Sequence, residues 1–142
     1  MTSDACSVVS AMGAAYNENR WADLPGMVTP NVVSRIGPNA ETVGPMGLMG
    51  VLEYYARYFH VDFQVLKLFT QRSAVAVKAQ LNVTYHTTEP GMPEAVGQTF
   101  QVPLAGFLDV VGGRVDRISL VYNYEDWLRA TEIHSKREGR QA

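Results

Sequence analysis

Tyrosine hydroxyls are the groups in this sequence best suited to chemistry on an oxygen atom. The chain has seven tyrosines, and a rigid phenol ring can hold its hydroxyl against a carbonyl or epoxide oxygen of an apolar ligand. We expect Tyr55, Tyr85 and Tyr122 to contact such a ligand and Tyr58 to take part in catalysis. The alternative for Tyr55 and Tyr58, which lie at helical spacing, is that they are core aromatics whose hydroxyls reach the rim.

Two further side chains are candidates for moving a proton. His86 follows Tyr85 directly, and imidazole is the side chain that titrates near neutral pH. Asp62 supplies a carboxylate where a helix is expected to meet a strand. We expect both to act in acid/base catalysis. His86 also fits a solvated residue or a dimer contact, and Asp62 also fits a surface turn.

Metal and cofactor sites have no clear signature. His60, His86 and His134 are spread along the chain without closely spaced partner ligands, which argues against a metal site. A single cysteine, Cys6, excludes an internal disulfide and fits a reducing compartment. We therefore expect no metal and no cofactor. We also expect a cytoplasmic location, because the apolar N-terminal run lacks the basic start of a signal peptide.

Length and composition limit the number of domains and the kinds of partner to expect. A chain of 142 residues fits one domain spanning 1–142. Its core is large enough to be stable without disulfide bonds or a structural metal. The sequence has 12 Lys and Arg against 14 Asp and Glu, and its basic residues form no stripe. We therefore expect no nucleic-acid partner. No segment approaches the roughly 20 apolar residues of a membrane span, so we expect no membrane partner.

The elements that must position these residues follow from periodicity. Helical patterns come first and strand patterns come last, which predicts an α+β fold. The expected helices span Met1–Met27, with a break after Asn17, and Pro45–His60. The expected strands are Val32–Ile36, Asp62–Gln71, Ser73–Thr88, Gly97–Val111 and Arg114–Tyr124. The tail from about Ile133 is expected to fray.

Alternation along the strands predicts a one-sided sheet. Apolar residues alternate with polar ones from Val75 to His86, so one face is dry. A curved antiparallel sheet wrapped around the N-terminal helices would make a cone with an internal cavity for a small hydrophobic molecule. The outer face of Ala76–His86 keeps a semi-polar character, so we expect a homodimer. We expect Trp21 and Phe107 to contact the ligand too.

Two segments carry a family resemblance. The order of elements, together with D-L-P-G-M-V-T-P-N-V-V-S-R-I-G-P (Asp23–Pro38) and G-G-R-V-D-R-I-S-L-V-Y-N-Y-E-D-W-L (Gly112–Leu128), resembles the nuclear transport factor 2-like superfamily. It looks most like the SnoaL-like branch of polyketide cyclases, steroid isomerases and limonene-type epoxide hydrolases. The resemblance covers about residues 5–130. It implies a conical cavity, often in a homodimer, where a carboxylate usually does the chemistry.

This sequence departs from the best-known members of that branch. Where steroid isomerases place their base before a proline, this chain has Gly37. Where epoxide hydrolases and cyclases carry an acid on the closing strand, our alignment places Asn123. An amide can hold a water or a carbonyl group but does not shuttle a proton at neutral pH. The resemblance nevertheless makes Asn123 a candidate catalytic residue, since the position matches.

Two classes of function remain open. The first is a biosynthetic enzyme, a cyclase, isomerase or epoxide-opening hydrolase acting on a hydrophobic polyketide or terpenoid. The second is a non-catalytic domain of the same fold that binds a ligand or acts as a scaffold. The tyrosines favour the enzyme, because their hydroxyls suit an oxygenated apolar ligand. The missing carboxylates favour the binding domain.

Overall fold

The computed structural model describes the backbone of residues 4–141 and the side chains of residues 4–132. In chain order the elements are α1 (Ala5–Asn17), a 3-10 helix (Trp21–Met27), β1 (Val28–Ile36), β2 (Thr42–Val43), α2 (Pro45–Tyr58), β3 (Phe59–Gln71), β4 (Ala74–Tyr85), β5 (Thr99–Val111), β6 (Arg114–Tyr122) and α3 (Tyr124–Gln141). No helix within the described residues is long and apolar enough to cross a membrane.

One sheet contains all six of these strands, in the order β2-β1-β6-β5-β4-β3. The predicted α+β fold with a curved sheet is confirmed. Neighbouring strands run antiparallel, as predicted, except that β1 and β6 are parallel. Register shifts interrupt β3 between Val65 and Lys67 and β5 between Asp109 and Val110, and irregularities of this kind bend a strand. Gly112–Gly113, with both φ angles positive, makes the predicted tight turn between β5 and β6.

The N-terminal helical region is divided in two. Asp4 caps α1, since its side chain accepts a hydrogen bond from the Ser7 backbone N–H. The helix ends at Asn17, where the break was expected, and Asn19 has a positive φ of 62°. The 3-10 helix follows and contains Pro25. The part of the predicted helix before residue 4 lies outside the described residues.

Element boundaries differ from the sequence predictions by a few residues. β1 begins at Val28 instead of Val32, and α2 ends at Tyr58, so His60 lies in β3. Tyr124, which we expected in the closing strand, begins α3. The helix α3 was not predicted. The predicted fraying from Ile133 concerns residues whose side chains lie outside the described part.

Two hydrophobic clusters fill the space between helices and sheet. The first joins α1 and the start of α2, including Leu48, to β1, β4, β5 and β6. The second is built around Trp127 of α3, which is buried against Phe59. The two clusters share Tyr55 as a partly buried neighbour, so the side of α2 that carries Tyr55 faces the junction between them.

Candidate functional site

An apolar cavity of about 100 Å³ lies between α1, α2 and the sheet. We call it the apolar pocket. Aliphatic groups and one phenylalanine, Phe63, make up its lining apart from Tyr16. Tyr16 points there because it continues the α1 stripe of Val9 and Met12 at spacings of seven and four residues. The pocket can therefore hold the hydrocarbon part of a ligand away from water.

A smaller cavity of about 30 Å³ extends the apolar pocket toward α3. The two cavities share several lining residues, among them Tyr16, Leu52 and Leu104. The smaller one ends at Tyr55 and Tyr122. The two tyrosine rings therefore close one end of the apolar space.

Tyr55 and Tyr122 form a hydrogen-bonded pair at this end. Their hydroxyl oxygens lie 2.5 Å apart. The Asn39 side-chain amide donates to the Tyr55 hydroxyl over 2.9 Å and to the Ile36 carbonyl over 2.8 Å. Whichever tyrosine donates to the other, one phenolic proton remains, and the described residues offer it no further acceptor. The pair therefore has one hydrogen bond left to donate.

Burial controls the protonation of the pair. Burial raises the pKa of Tyr122, and the neighbouring Tyr55 hydroxyl raises it further. Burial also raises the pKa of Tyr55, although its hydrogen bonds with Tyr122 and Asn39 oppose that effect. Both hydroxyls are neutral at pH 7. The pair is thus a neutral hydrogen-bond donor in surroundings of low polarity, where such a bond is strong.

Local structure fixes the positions of both rings. Tyr55 falls on the inner side of α2, seven residues after the buried Leu48, and Pro45 stands in the first turn of that helix. Tyr122 is the last residue of β6, and its side chain points inward because Val121 before it points outward. The Trp127 ring lies against both rings, at centroid distances of 5.7 and 5.2 Å.

A third cavity, which we call the polar groove, opens on the surface beside β3. It measures about 190 Å³, and its lining includes Trp21, His60, Asp62 and His86. His60 Nε2 lies 3.3 Å from Asp62 Oδ2. Three candidate site residues, Trp21, Asp62 and His86, are therefore brought together, but outside the apolar pocket. Tyr16 lines both cavities.

The other candidates lie elsewhere. Asn123 is exposed and caps α3, since its Oδ1 accepts a hydrogen bond from the Asp126 backbone N–H over 3.1 Å. Phe107 lies on the outer face of the sheet with 54% of its surface exposed. Tyr58 packs its ring against Tyr54. None of these three lines the apolar pocket. Their predicted site roles stay predictions.

Tyr85 is fully buried and holds the loop before β5. Its hydroxyl donates to the Pro93 carbonyl over 2.6 Å and accepts from the Glu89 backbone N–H over 2.9 Å. Both hydrogen-bonding directions of this phenol are therefore used within the protein. Its predicted contact with a ligand stays a prediction, although the geometry gives Tyr85 a role in positioning the loop.

Sequence reasoning missed three residues of the site. Tyr16 could have been found from its helical spacing to Val9 and Met12, which places it on the buried stripe of α1. Trp127 and Asn39 gave no comparable signal, because their contacts join distant parts of the chain. Among the described residues, no group of three His, Cys, Asp or Glu side chains is arranged to hold a metal ion.

Comparisons with known proteins show which family and which solved structures the chain resembles. The family model of the SnoaL-like domain matches residues 9–118, whereas a search of curated proteins gives no significant match. A candidate polyketide cyclase from Xanthomonas campestris pv. campestris is similar in structure, with a TM-score of 0.85 and 22% identity over 89% of this chain and 96% of that one.

Two other solved structures are also similar. A candidate polyketide cyclase from Pseudomonas putida has a TM-score of 0.82 and 21% identity over 90% of this chain and 98% of that one. An LEH-like epoxide hydrolase from M. tuberculosis has a TM-score of 0.73 and 12% identity over 92% of this chain and 90% of that one. At these identities the structural matches show the fold.

Proposed function

Because the chain belongs to the SnoaL-like domain family, we propose that it is a small-molecule enzyme of the cyclase, isomerase or epoxide-opening type. Its substrate would be a hydrophobic molecule with a carbonyl or epoxide oxygen, bound in the apolar pocket without a cofactor. The observation that carries this proposal is the hydrogen-bonded pair of Tyr55 and Tyr122 at the end of that pocket.

The pair would act on charge that develops at the substrate oxygen. Ring closure onto a carbonyl group and opening of an epoxide both increase the negative charge on an oxygen atom. The free phenolic proton of the pair would donate a hydrogen bond to that oxygen, and the bond would strengthen as the charge grows. Asn39 supports this role, because its amide holds the Tyr55 hydroxyl in place before the substrate arrives.

The names of structural neighbours favour the same reaction classes. Two of them are candidate polyketide cyclases and one is an LEH-like epoxide hydrolase. These reactions differ in their bonds, but each needs a hydrogen-bond donor at an oxygen atom of an apolar substrate. The shared requirement agrees with the residues that the apolar pocket presents.

A second candidate function is binding without turnover. Among the described residues, those that line the apolar pocket and its extension include no carboxylate and no imidazole. Neutral phenols donate hydrogen bonds but supply no base at pH 7, because their high pKa values keep them protonated. A ligand-binding domain needs only the pocket and the hydroxyl pair, so this observation specifically favours it.

Turnover and binding can be separated with small apolar substrates, two pocket variants and one control variant. Styrene oxide is a small apolar epoxide whose consumption can be followed by chromatography and whose binding can be followed by NMR. We expect Tyr122→Phe to lower turnover by about 10²-fold, the scale for losing one positioned donor, and Tyr55→Phe to lower it also. Tyr54→Phe is the matched control, because Tyr54 is exposed, lies outside the pocket and bonds to Glu89.

The outcomes distinguish the candidates. Turnover that falls in Tyr122→Phe but not in Tyr54→Phe supports the enzyme. Binding that depends on Tyr122, with no consumption of styrene oxide or of a hydrophobic 1,3-diketone, supports the binding domain. Turnover at the parent rate in both pocket variants would contradict the role given to the pair.

A further inference from the structure

We propose that the polar groove binds the polar end of the same ligand whose apolar body lies in the apolar pocket, with the Tyr16 side chain as the partition between them. This inference rests on the proposed function, since it assumes that the apolar pocket is the ligand site. It narrows the ligand class to an elongated molecule with an oxygen atom at one end and a hydrogen-bond donor at the other.

Cavity size is the first argument. The apolar pocket and its extension measure about 100 and about 30 Å³, whereas a dry protein cavity of about 150 Å³ is known to hold a molecule the size of benzene. A polyketide or terpenoid intermediate is larger than benzene. The polar groove adds about 190 Å³, so joining the cavities would more than double the available space.

The position of Tyr16 is the second argument. Tyr16 lines the apolar pocket, the extension and the polar groove. The ring stacks on Trp21 at a centroid distance of 5.1 Å and meets the edge of Phe63 at 4.9 Å. No hydrogen bond to the Tyr16 hydroxyl is found among the described residues. Rotation of this side chain would therefore join the cavities without breaking a hydrogen bond of that hydroxyl.

The backbone around Tyr16 is held in place, which limits any opening to the side chain. The Trp21 indole N–H donates to the Tyr16 carbonyl over 3.1 Å. Next to it, the Asn17 side chain donates to the Phe63 carbonyl over 2.8 Å and accepts from the Phe63 backbone N–H over 2.9 Å. These bonds fasten the end of α1 to β3, so a change of side-chain rotamer is the simplest way to connect the two cavities.

The chemistry of the polar groove selects the polar end. The Asp62 carboxylate accepts hydrogen bonds, and its negative charge raises the pKa of Tyr16. His86 stands in the same lining, with its Nδ1 2.7 Å from the Thr87 hydroxyl. A carboxylate acceptor beside imidazoles suits a ligand group that donates a hydrogen bond, such as a hydroxyl or an amine.

Three alcohols test this arrangement in the full chain, with binding measured by NMR titration. Benzyl alcohol is short with one polar end, 1-nonanol is long with one polar end, and 1,9-nonanediol is long with two. We expect the diol to bind more tightly than 1-nonanol. Asp62→Asn and His86→Gln should weaken the diol by about 10-fold, the scale for a hydrogen bond to a charged group, and leave benzyl alcohol unchanged. Asp109→Asn, on the outer face, is the control.

The outcomes separate this inference from the proposed function. The proposed function stands if benzyl alcohol binds and Tyr122→Phe lowers its affinity. The groove inference is then wrong if the diol binds no more tightly than 1-nonanol, or if neither groove substitution changes the affinity for the diol. If benzyl alcohol does not bind, or if Tyr122→Phe leaves its affinity unchanged, the apolar pocket is not the ligand site and both fail.

Discussion

A Cβ atom added to Gly37 would lie 2.5 Å from Cε1 of Tyr122, closer than a side chain can approach a ring. Gly37 has a φ of +55°, which favours glycine, and its backbone N–H donates to the Leu120 carbonyl over 2.8 Å. Glycine at this position therefore makes room for the Tyr122 ring. The resemblance to steroid isomerases places their carboxylate base here, so in this chain the phenol occupies the space beside a residue that has no side chain.

This relationship predicts the effect of Gly37→Ala. The added methyl group should push the Tyr122 ring away and separate its hydroxyl from that of Tyr55. We expect a loss of about 1–3 kcal/mol in the free energy of unfolding, because both overpacking and a positive φ disfavour alanine. Ligand affinity or turnover should fall as far as in Tyr122→Phe. Urea denaturation and the styrene oxide assay measure the two effects.

Gly26→Ala is the matched control for this prediction. Gly26 has nothing within 4 Å of its added Cβ, so its substitution should change the free energy of unfolding by less than about 0.5 kcal/mol. Equal effects of the two substitutions would show that the close approach between Gly37 and Tyr122 does not control the site.

The fold was accessible from sequence because its strongest signals are local. The helical spacing of Leu48, Leu52 and Tyr55 placed the inner side of α2, and period-two alternation placed Val75 and Leu81 on the buried face of β4. Such patterns depend only on neighbours along the chain. Tyr55 and Tyr122 were candidate ligand contacts because of their hydroxyl groups, and the structure brings these two together.

The rest of the site depends on contacts between distant segments. The bond from Asn39 to Tyr55 requires a loop after β1 to meet α2, and the pairing of β1 with β6 is parallel, which no local pattern indicates. Trp127 becomes central only when α3 folds back on the sheet. Asn123 was assigned from its position in a resembling family, but its side-chain contact is with the start of α3. Position in an alignment did not determine where that side chain points.

Alkaline pH should destabilise the protein through its buried phenols. Burial and the charge of Asp62 raise the pKa of Tyr16 from 10.0 to about 12. In the unfolded chain this phenol ionises near pH 10, whereas in the folded chain it keeps its proton until about pH 12. Its contribution to stability is therefore complete below pH 10 and is lost as the pH rises from 10 to 12.

The measurement is the urea midpoint at pH 9 and at pH 11.5. Phenylalanine does not titrate, so Tyr16→Phe should show a smaller decrease between the two pH values than the parent chain. Absorbance at 295 nm gives an independent reading, because the buried phenols should ionise only above the range of free tyrosine. An identical decrease in parent and variant would contradict the assignment to Tyr16.

We propose that the outer face of the sheet forms a homodimer interface. Phe69 and Phe107 are 50% and 54% exposed, and Val121 is 54% exposed. Ala76 pairs with both phenylalanines, so apolar side chains run across β3, β4 and β5. A surface of this kind is usually covered by a partner, and a twofold dimer would cover it with its own copy.

Phe107→Lys tests the dimer. A charge at the centre of this face should convert a dimer into a monomer at tens of micromolar, as measured by light scattering, with little change in the circular dichroism spectrum. Glu53→Lys is the control, because it adds a lysine on an exposed position of α2. A parent chain that is already monomeric at this concentration would refute the interface and leave the ligand pocket unaffected.

Substitutions of Asn123 distinguish a role in capping α3 from a role in catalysis. Its Oδ1 accepts the Asp126 N–H at the start of α3, so Asn123→Ala should lower the free energy of unfolding by about 1 kcal/mol. Asn123→Asp should restore that stability, because a carboxylate caps equally well and suits the positive end of the helix. If the role is capping alone, turnover of styrene oxide per folded molecule should match the parent in both variants. A fall of about 10²-fold in Asn123→Asp, with stability restored, would instead support the predicted catalytic role.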